Sequence, residues 1–145
     1  MQTSFSHLGP IDHVGIAVRN LEDAVVFYRD TLKLPLVGIE EVADQGVRTA
    51  IFSGPLGRVE LLEATHAESP IAKFIARRGE GMHHVALRVA DLDAELARLD
   101  AEGVALIDRT ARVGAGGHRI AFLHPKATGG VLLELCEPHI RQRLP

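Results

Sequence analysis

A stretch of eight residues that occurs twice constrains this chain more than any other feature of its sequence. It runs from Ile11 to Val18 as IDHVGIAV and from Met82 to Val89 as MHHVALRV. The pairing of His13 with His84, 71 positions later, also aligns a capping residue and a leucine that follow each copy. A repeat that takes up half of a chain predicts two similar modules.

Turn-forming residues divide each half in the same way, into a strand, a helix and three further strands. In the first half we expect a helix over 21–33, capped by Asn20, and strands over 36–42, 47–53 and 58–64. In the second half Asp91 caps the helix, and strands are expected over 104–107, 117–123 and 130–137. The modules extend over approximately 10–66 and 80–138, and a helix over 69–79 connects them.

Composition places the chain among ordinary globular proteins. Its 145 residues fit a single domain, 1–145, and 46% of them are hydrophobic. A net charge of −3 argues against nucleic-acid binding, and no apolar run has the length of a membrane span. The first ten residues resemble neither a secretory signal nor a transit peptide, so we expect a cytoplasmic protein with a small-molecule partner.

Side-chain alternation gives the repeated strand two different faces. His13, Gly15 and Ala17 share one face in the first copy, and His84 and Ala86 share one face in the second. The opposite faces carry large branched residues that suit a core. The small residues on the histidine face are expected to leave room for a ligand beside the imidazole.

A second repeated pattern ends each module. VELLE contains Glu60 and LELCE contains Glu134, 74 positions later. A buried carboxylate between bulky apolar residues requires a partner, and a metal ion supplies one. The two histidines and two glutamates therefore predict a site with two nitrogen and two oxygen ligands. Mn²⁺, Co²⁺, Ni²⁺ or Mg²⁺ suits such a set, and Zn²⁺ is favoured less because it is usually tetrahedral.

These residues resemble the vicinal oxygen chelate superfamily over roughly residues 10–138. The resemblance implies an α+β fold in which two pseudo-symmetric βαβββ modules form a curved mixed sheet around a metal-containing cleft. It also implies a homodimer.

An ordered series of short motifs is more specific than the ligand pattern. These motifs are Ile11-Asp12-His13-Val14, Asp44-Gln45-Gly46-Val47, Ser69-Pro70-Ile71-Ala72, Gly81-Met82-His83-His84, Phe122-Leu123-His124-Pro125-Lys126 and Gly130-Val131-Leu132-Leu133-Glu134-Leu135. With them the sequence looks, within that superfamily, most like the methylmalonyl-CoA epimerase family.

The resemblance implies interconversion of (R)- and (S)-methylmalonyl-CoA by abstraction of the α-proton. It implies metal ligands at His13, Glu60, His84 and Glu134, and we nominate Glu134 first and Glu60 second as catalytic bases. Thr49 stands where at least one relative has a glutamate that has been considered as a base, and threonine is a poor base.

An acyl-CoA substrate requires cations for its phosphates. Candidates in or beside the loops are Arg48, Lys126, Arg112 and Arg119, and Gly116 in the glycine-rich loop over 112–117 can let the backbone approach the acyl part.

Two alternative functions stay open. One is a glyoxalase I-like lyase or isomerase that acts on a glutathione hemithioacetal, and the other is a non-catalytic small-molecule binding protein of the same fold. An extradiol dioxygenase needs only two histidines and one carboxylate, so the fourth ligand counts against it.

Overall fold

The computed structural model describes residues 8–55 and 57–139, so the ends of the predicted 1–145 domain lie outside the described residues. The strands are β1 (Leu8–Ala17), β2 (Leu36–Val42), β3 (Val47–Gly54), β4 (Gly57–Ala64), β5 (Gly81–Val89), β6 (Arg112–Val113), β7 (Arg119–Leu123) and β8 (Leu133–Glu137). The α-helices are α1 (Leu21–Val26), α2 (Pro70–Arg78) and α3 (Leu92–Ala101). None of these described helices has the length and apolar character needed to cross a membrane.

The described residues form two compact units. The central unit consists of His13–His84, and the terminal unit consists of the residues up to Asp12 together with those from Val85 onward. Both repeated histidines therefore belong to the central unit, at its two ends.

The central unit contains strands in the order β2-β3-β4-β1. β1 and β4 are parallel, and β3 is antiparallel to both β2 and β4. The two faces of this sheet pack against different helices. On one face α1 covers a cluster that includes Leu21, Phe52 and Leu61, and on the other α2 places Ile71 against Leu62.

The terminal unit repeats this arrangement with strands in the order β5-β8-β7-β6. β5 and β8 are parallel, and the remaining pairs are antiparallel. Leu92 and Leu96 of α3 pack against Leu123 and Leu135 of the sheet. The predicted order of strand, helix and three strands is therefore present in both halves of the chain.

Four predicted elements differ from the structure, three of them in their bounds or helix type. The helix predicted over 21–33 is α-helical only to Val26 and continues as a π-helical turn over Phe27–Thr31. The strands predicted over 117–123 and 130–137 begin later, at Arg119 and Leu133.

The strand predicted over 104–107 is wrong, because only a single bridge joins Leu106 to Leu123 there. The amides of Ile107 and Asp108 both donate to the carbonyl of Phe122, and the Asp108 carboxylate accepts from the Phe122 amide. The Asp108 carboxylate thus binds the Phe122 amide, which a continuing strand would have bound through its backbone. The strand that pairs with β7 here is β6, which comes later in the chain, in the predicted glycine-rich loop.

Both predicted helix caps are confirmed. Asn20 Oδ1 accepts from the amide of Asp23, and Asp91 Oδ1 accepts from the amide of Ala94 at 3.1 Å. These bonds satisfy amides in the first turn that have no partner within the helix.

We expect Asp91→Ala to lower the free energy of unfolding by about 1 kcal/mol, since it removes the cap of α3. Asp91→Ser keeps an oxygen at that position and should stay within about 0.5 kcal/mol of the wild type. Urea unfolding at pH 7 measures both. Equal midpoints for Asp91→Ala and the wild type would show that the cap contributes nothing.

Candidate metal centre

The two repeated histidines meet at the ends of the central unit. His13 lies on β1 and His84 on β5, and their residues are only 5% and 6% exposed. Their Nε2 atoms are 3.0 Å apart, and the two rings are nearly perpendicular, at 89°. The duplication has therefore brought two equivalent imidazole nitrogen atoms close together in a buried position.

Gly15 makes this meeting possible. A Cβ atom at residue 15 would lie 2.1 Å from Cε1 and 2.4 Å from Nδ1 of His84, far closer than van der Waals contact with the imidazole ring. The prediction that small residues leave room beside the histidine needs a correction at this position. The room at Gly15 is occupied by the second histidine, not by a ligand.

Glu60 reaches the same pair of histidines from β4. In the parallel register of β1 and β4, Gly15 is the partner of Glu60, and the Glu60 carboxylate is buried. Its Oε2 lies 3.0 Å from Nδ1 of His13. The hydrogen-bond partner assigns the proton to Nδ1, which leaves Nε2 of His13 as a lone-pair donor facing His84.

His83, which strand alternation excludes from the ligand set, contacts the other side of His84. Their Nδ1 atoms are 3.0 Å apart, and the His83 ring packs edge-on against Phe74 with 5.0 Å between centroids. Burial lowers the pKa of His83 to about 4. Burial, followed by electrostatic repulsion of a second proton by His13 and His83, holds the pKa of His84 well below its usual range. His84 is therefore neutral at pH 7, which is the form of imidazole that binds metals.

This geometry fits a divalent metal ion. Two nitrogen ligands at right angles, each about 2.1 Å from one ion, lie about 3.0 Å apart. The observed separation of His13 Nε2 and His84 Nε2 is 3.0 Å. The buried carboxylate of Glu60 adds negative charge on the same histidine. The central unit thus supplies two imidazoles and a carboxylate in an arrangement suited to a transition metal.

Glu134 occupies the equivalent place in the terminal unit. Ala86 is its register partner between β5 and β8, just as Gly15 is the partner of Glu60 between β1 and β4. Glu134 is also buried, with 4% of its surface exposed. The register confirms that the two glutamates correspond to each other in the repeat. The assignment of Glu134 as a ligand stays a prediction.

The predicted substrate cations are mostly held by carboxylates of their own unit. Arg48 pairs with Glu22 and Glu63 on the α1 side of the sheet, which is the face opposite to Glu60.

Arg112 pairs with Asp108 at 3.1 Å. Arg119 pairs with Asp93 at 2.7 Å and Glu137 at 3.0 Å, and these carboxylates raise its pKa. All three arginines have a structural role in the described part of the chain, and their role toward substrate stays a prediction.

Lys126 and Gly116 lie in tight turns of the terminal unit. Lys126 is exposed in a 3₁₀ turn over Pro125–Ala127, and its amide donates to His124 Nδ1. Gly116 has a φ of 72°, and a Cβ there would lie 3.0 Å from His118 Nε2. Contacts of Lys126 and Gly116 with a substrate stay predictions.

Sequence reasoning missed two charged side chains on the face of the central sheet that carries His13 and Glu60. Arg58 is the register partner of His13, and its neighbour on this face of β4 is Glu60. Glu40 lies on β2 opposite Thr49 of β3. Side chains alternate between the two faces along β4, so the residue two positions before Glu60 lies on the same face, and this pattern could have identified Arg58 from the sequence.

Comparison with known proteins agrees with this description. Residues 12–122 match the family model of the Glyoxalase/Bleomycin resistance protein/Dioxygenase superfamily. The chain belongs to that superfamily, as its resemblance to vicinal oxygen chelate proteins indicated.

Its relatives define the family more narrowly. Over 128 residues the chain is 43% identical to an uncharacterized Bacillus subtilis protein, YqjC, with 88% of this chain and 91% of YqjC covered. The crystal structure of methylmalonyl-CoA epimerase from Mycobacterium tuberculosis is 42% identical, covers 99% of this chain and 97% of its own, and has a TM-score of 0.91.

A variant of Streptomyces coelicolor methylmalonyl-CoA epimerase in complex with 2-nitronate-propionyl-CoA is 40% identical, with 92% and 96% covered and a TM-score of 0.86. The chain is thus a member of the methylmalonyl-CoA epimerase family, and the predicted fold class is confirmed.

We expect Gly15→Ala to weaken metal binding by at least about 10-fold, because the added methyl group displaces the His84 ring. Gly38→Ala is the matched control, since a Cβ at Gly38 meets no atom within 4 Å. Calorimetric titration with Co²⁺ measures both affinities. Equal affinities for Gly15→Ala and Gly38→Ala would contradict the role assigned to Gly15.

Metal-free protein should lose stability as the pH falls from about 6.5 to about 4. The folded state holds His83 with a pKa of about 4, whereas a histidine in the unfolded chain titrates near 6.5. The unfolded state therefore binds more protons in this window. The stability that neutral His83 contributes is complete only above pH 6.5 and is lost as the pH falls. The urea midpoint of His83→Gln should fall less than that of the wild type between pH 7 and 4.5. Equal falls in the urea midpoint of the two proteins over this pH range would contradict the low pKa assigned to His83.

Proposed function

We propose that this protein is a metal-dependent epimerase that interconverts (R)- and (S)-methylmalonyl-CoA. The observation that carries the proposal is the buried pair of imidazoles, His13 and His84, with Nε2 atoms 3.0 Å apart and Glu60 bound to His13. Family membership supplies the substrate class. The Streptomyces coelicolor relative is complexed with a propionyl-CoA analogue, which supports an acyl-CoA substrate here.

In this proposal His13 and His84 hold the ion through Nε2, and Glu60 and Glu134 are the carboxylate ligands predicted from sequence. Glu60 lies on Nδ1 of His13 and must leave that nitrogen to reach the ion. Imidazole and carboxylate together favour Co²⁺, Mn²⁺ or Ni²⁺, with Mg²⁺ a further candidate and Zn²⁺ less favoured. A bound divalent ion stabilises negative charge that develops on a thioester oxygen. The neighbours His83 and Gly15 keep the His84 ring in one orientation.

Epimerisation requires removal of the α-proton and return of a proton to the opposite face of the carbon. The groups that move these protons must lie within hydrogen-bond reach of that carbon and have accessible carboxylate oxygens. Glu134 is the first candidate base and Glu60 the second among the residues predicted from sequence. The carboxylates of Glu134 and Glu60 are both buried. Where burial excludes water, the electrostatic interactions of such groups with a developing enolate are stronger.

The same proposal includes the oligomeric state, the location and the residues that bind CoA. We expect a homodimer that acts in the cytoplasm in propionate metabolism. The CoA phosphates require exposed cations. Lys126, exposed in its 3₁₀ turn, is the best suited of the four predicted from sequence, since the three arginines are paired with carboxylates. Arg58, on the same face as His13, suits a substrate carboxylate.

The Co²⁺-loaded protein should exchange the α-proton of both epimers of methylmalonyl-CoA with deuterium in D₂O, as measured by mass spectrometry. A chelator should abolish the exchange. Glu134→Gln should slow exchange by about 10²- to 10⁴-fold, since it removes a base.

Two outcomes would contradict the proposal. A metal-loaded protein that leaves the α-proton unexchanged but converts a glutathione hemithioacetal is a glyoxalase I-like enzyme. A stoichiometric complex with neither turnover nor metal requirement indicates a binding protein.

A further inference from the structure

The two candidate histidine ligands have different partners on their outer ring nitrogens. Nε2 of His13 and Nε2 of His84 are 3.0 Å apart, and these are the atoms that would bind a shared ion. On the outer side, Nδ1 of His13 lies 3.0 Å from Oε2 of Glu60, and Nδ1 of His84 lies 3.0 Å from Nδ1 of His83. All four side chains belong to the central unit. The repeat is therefore not exact here, since the outer partner is a carboxylate in one case and an imidazole in the other.

An ion at Nε2 fixes the position of the ring proton on His84. Metals bind the neutral imidazole, which has one ring proton. The nitrogen that binds the ion has no proton, so the proton of His84 must lie on Nδ1. That nitrogen is the one that faces His83. His84 is therefore the donor in this contact whenever its Nε2 binds an ion.

His83 must then supply the acceptor. Two ring nitrogens that both carry a proton repel each other at 3.0 Å, so Nδ1 of His83 must present a lone pair. The ring proton of His83 then lies on Nε2. A ligating histidine whose second nitrogen has a fixed partner is held in one tautomer. The partner here selects the tautomer of His84 that has a free lone pair on Nε2.

The adjacency of the two histidines on β5 does not prevent this contact. Consecutive side chains of a strand start toward opposite faces, which is why alternation excludes His83 from the ligand set. Nδ1 is the ring nitrogen nearer to the backbone, so two neighbouring rings can bring these atoms together. The observed separation of 3.0 Å shows that they do.

Packing against α2 holds the His83 ring in place for this hydrogen bond. The ring lies edge-on against Phe74, with 5.0 Å between centroids and 80° between planes. On the same helix, the guanidinium carbon of Arg78 lies 5.9 Å from the centroid of Phe74. The helix that connects the two modules carries none of the predicted metal ligands. Through Phe74 and His83 it nevertheless contacts one of them, His84.

We propose that His83 is a positioning residue for the metal site, whose Nδ1 accepts a hydrogen bond from Nδ1–H of His84 and holds His84 in the tautomer that binds an ion through Nε2. This inference rests on the proposed metal-dependent function. In this assignment His83 neither binds the ion nor contacts the substrate. Substitutions at His83 therefore act on metal affinity, and on α-proton exchange only through loss of the ion.

Packing against Phe74 alone would also explain a half-buried histidine at this position. Two substitutions separate packing from the hydrogen bond. His83→Phe keeps an aromatic ring of similar size but has no acceptor. His83→Asn loses the ring but places an amide oxygen near the position of Nδ1. The two explanations therefore predict opposite orders of metal affinity for these variants.

The experiment measures Co²⁺ affinity by calorimetric titration of the wild type and both variants. We expect His83→Phe to weaken binding by about 10- to 100-fold, the usual effect of removing the partner of a ligating histidine. His83→Asn should bind within about threefold of the wild type, because the acceptor is restored. Urea unfolding of the metal-free variants checks that each is folded. Wild-type affinity in His83→Phe, or weaker binding by His83→Asn than by His83→Phe, would overturn the assignment.

A second measurement needs no substitution. Nitrogen NMR spectra of the imidazole rings in wild-type protein loaded with diamagnetic Zn²⁺ report which ring nitrogen of each histidine is protonated. We expect the proton of His84 on Nδ1 and the proton of His83 on Nε2. A proton on Nδ1 of His83 would overturn the assignment, because that atom would then be a donor.

Failure of the proposed function is a separate result. A wild-type protein that binds Co²⁺ but exchanges the α-proton of neither epimer would overturn the epimerase function, while the order of metal affinities would still decide the role of His83. A wild-type protein that binds neither Co²⁺ nor Zn²⁺ would overturn the metal site and this inference with it.

Discussion

The separation of 3.0 Å between His13 Nε2 and His84 Nε2 is the constraint on which the candidate site depends. Two buried imidazoles cannot approach in this way if both are protonated, because two positive charges would meet in a poorly solvated position. Burial keeps His84 neutral, and Glu60 fixes the proton of His13 on the far nitrogen. The missing side chain of Gly15 provides the volume for this contact.

Duplication explains why the donors come in matched pairs. The parallel pairing of β1 with β4 sets Glu60 beside Gly15, and the parallel pairing of β5 with β8 sets Glu134 beside Ala86. A one-residue slip in either register would turn the glutamate to the opposite face. The hydrophobic core beneath each sheet therefore also specifies the side of the sheet on which each carboxylate lies.

Much of the fold follows from the sequence because periodicity, caps and turns agree locally, as Asn20 and Asp91 show. The strand at 104–107 failed because Asp108 replaces ladder hydrogen bonds with its side chain, which hydrophobicity does not reveal. Glu40 was missed for a related reason. A bulge near the start of β2 reverses the alternation between Leu36 and Val42, so a simple period of two places Glu40 beneath the helix.

X-ray absorption at the cobalt edge of the Co²⁺-loaded protein tests the central claim most directly, since it reports the atoms bound to the ion. The account predicts one ion per chain, with two imidazole ligands and oxygen atoms in the remaining positions. His84→Ala should remove one imidazole from that spectrum. A spectrum without imidazole ligands, or one that is unchanged in His84→Ala, would contradict the account.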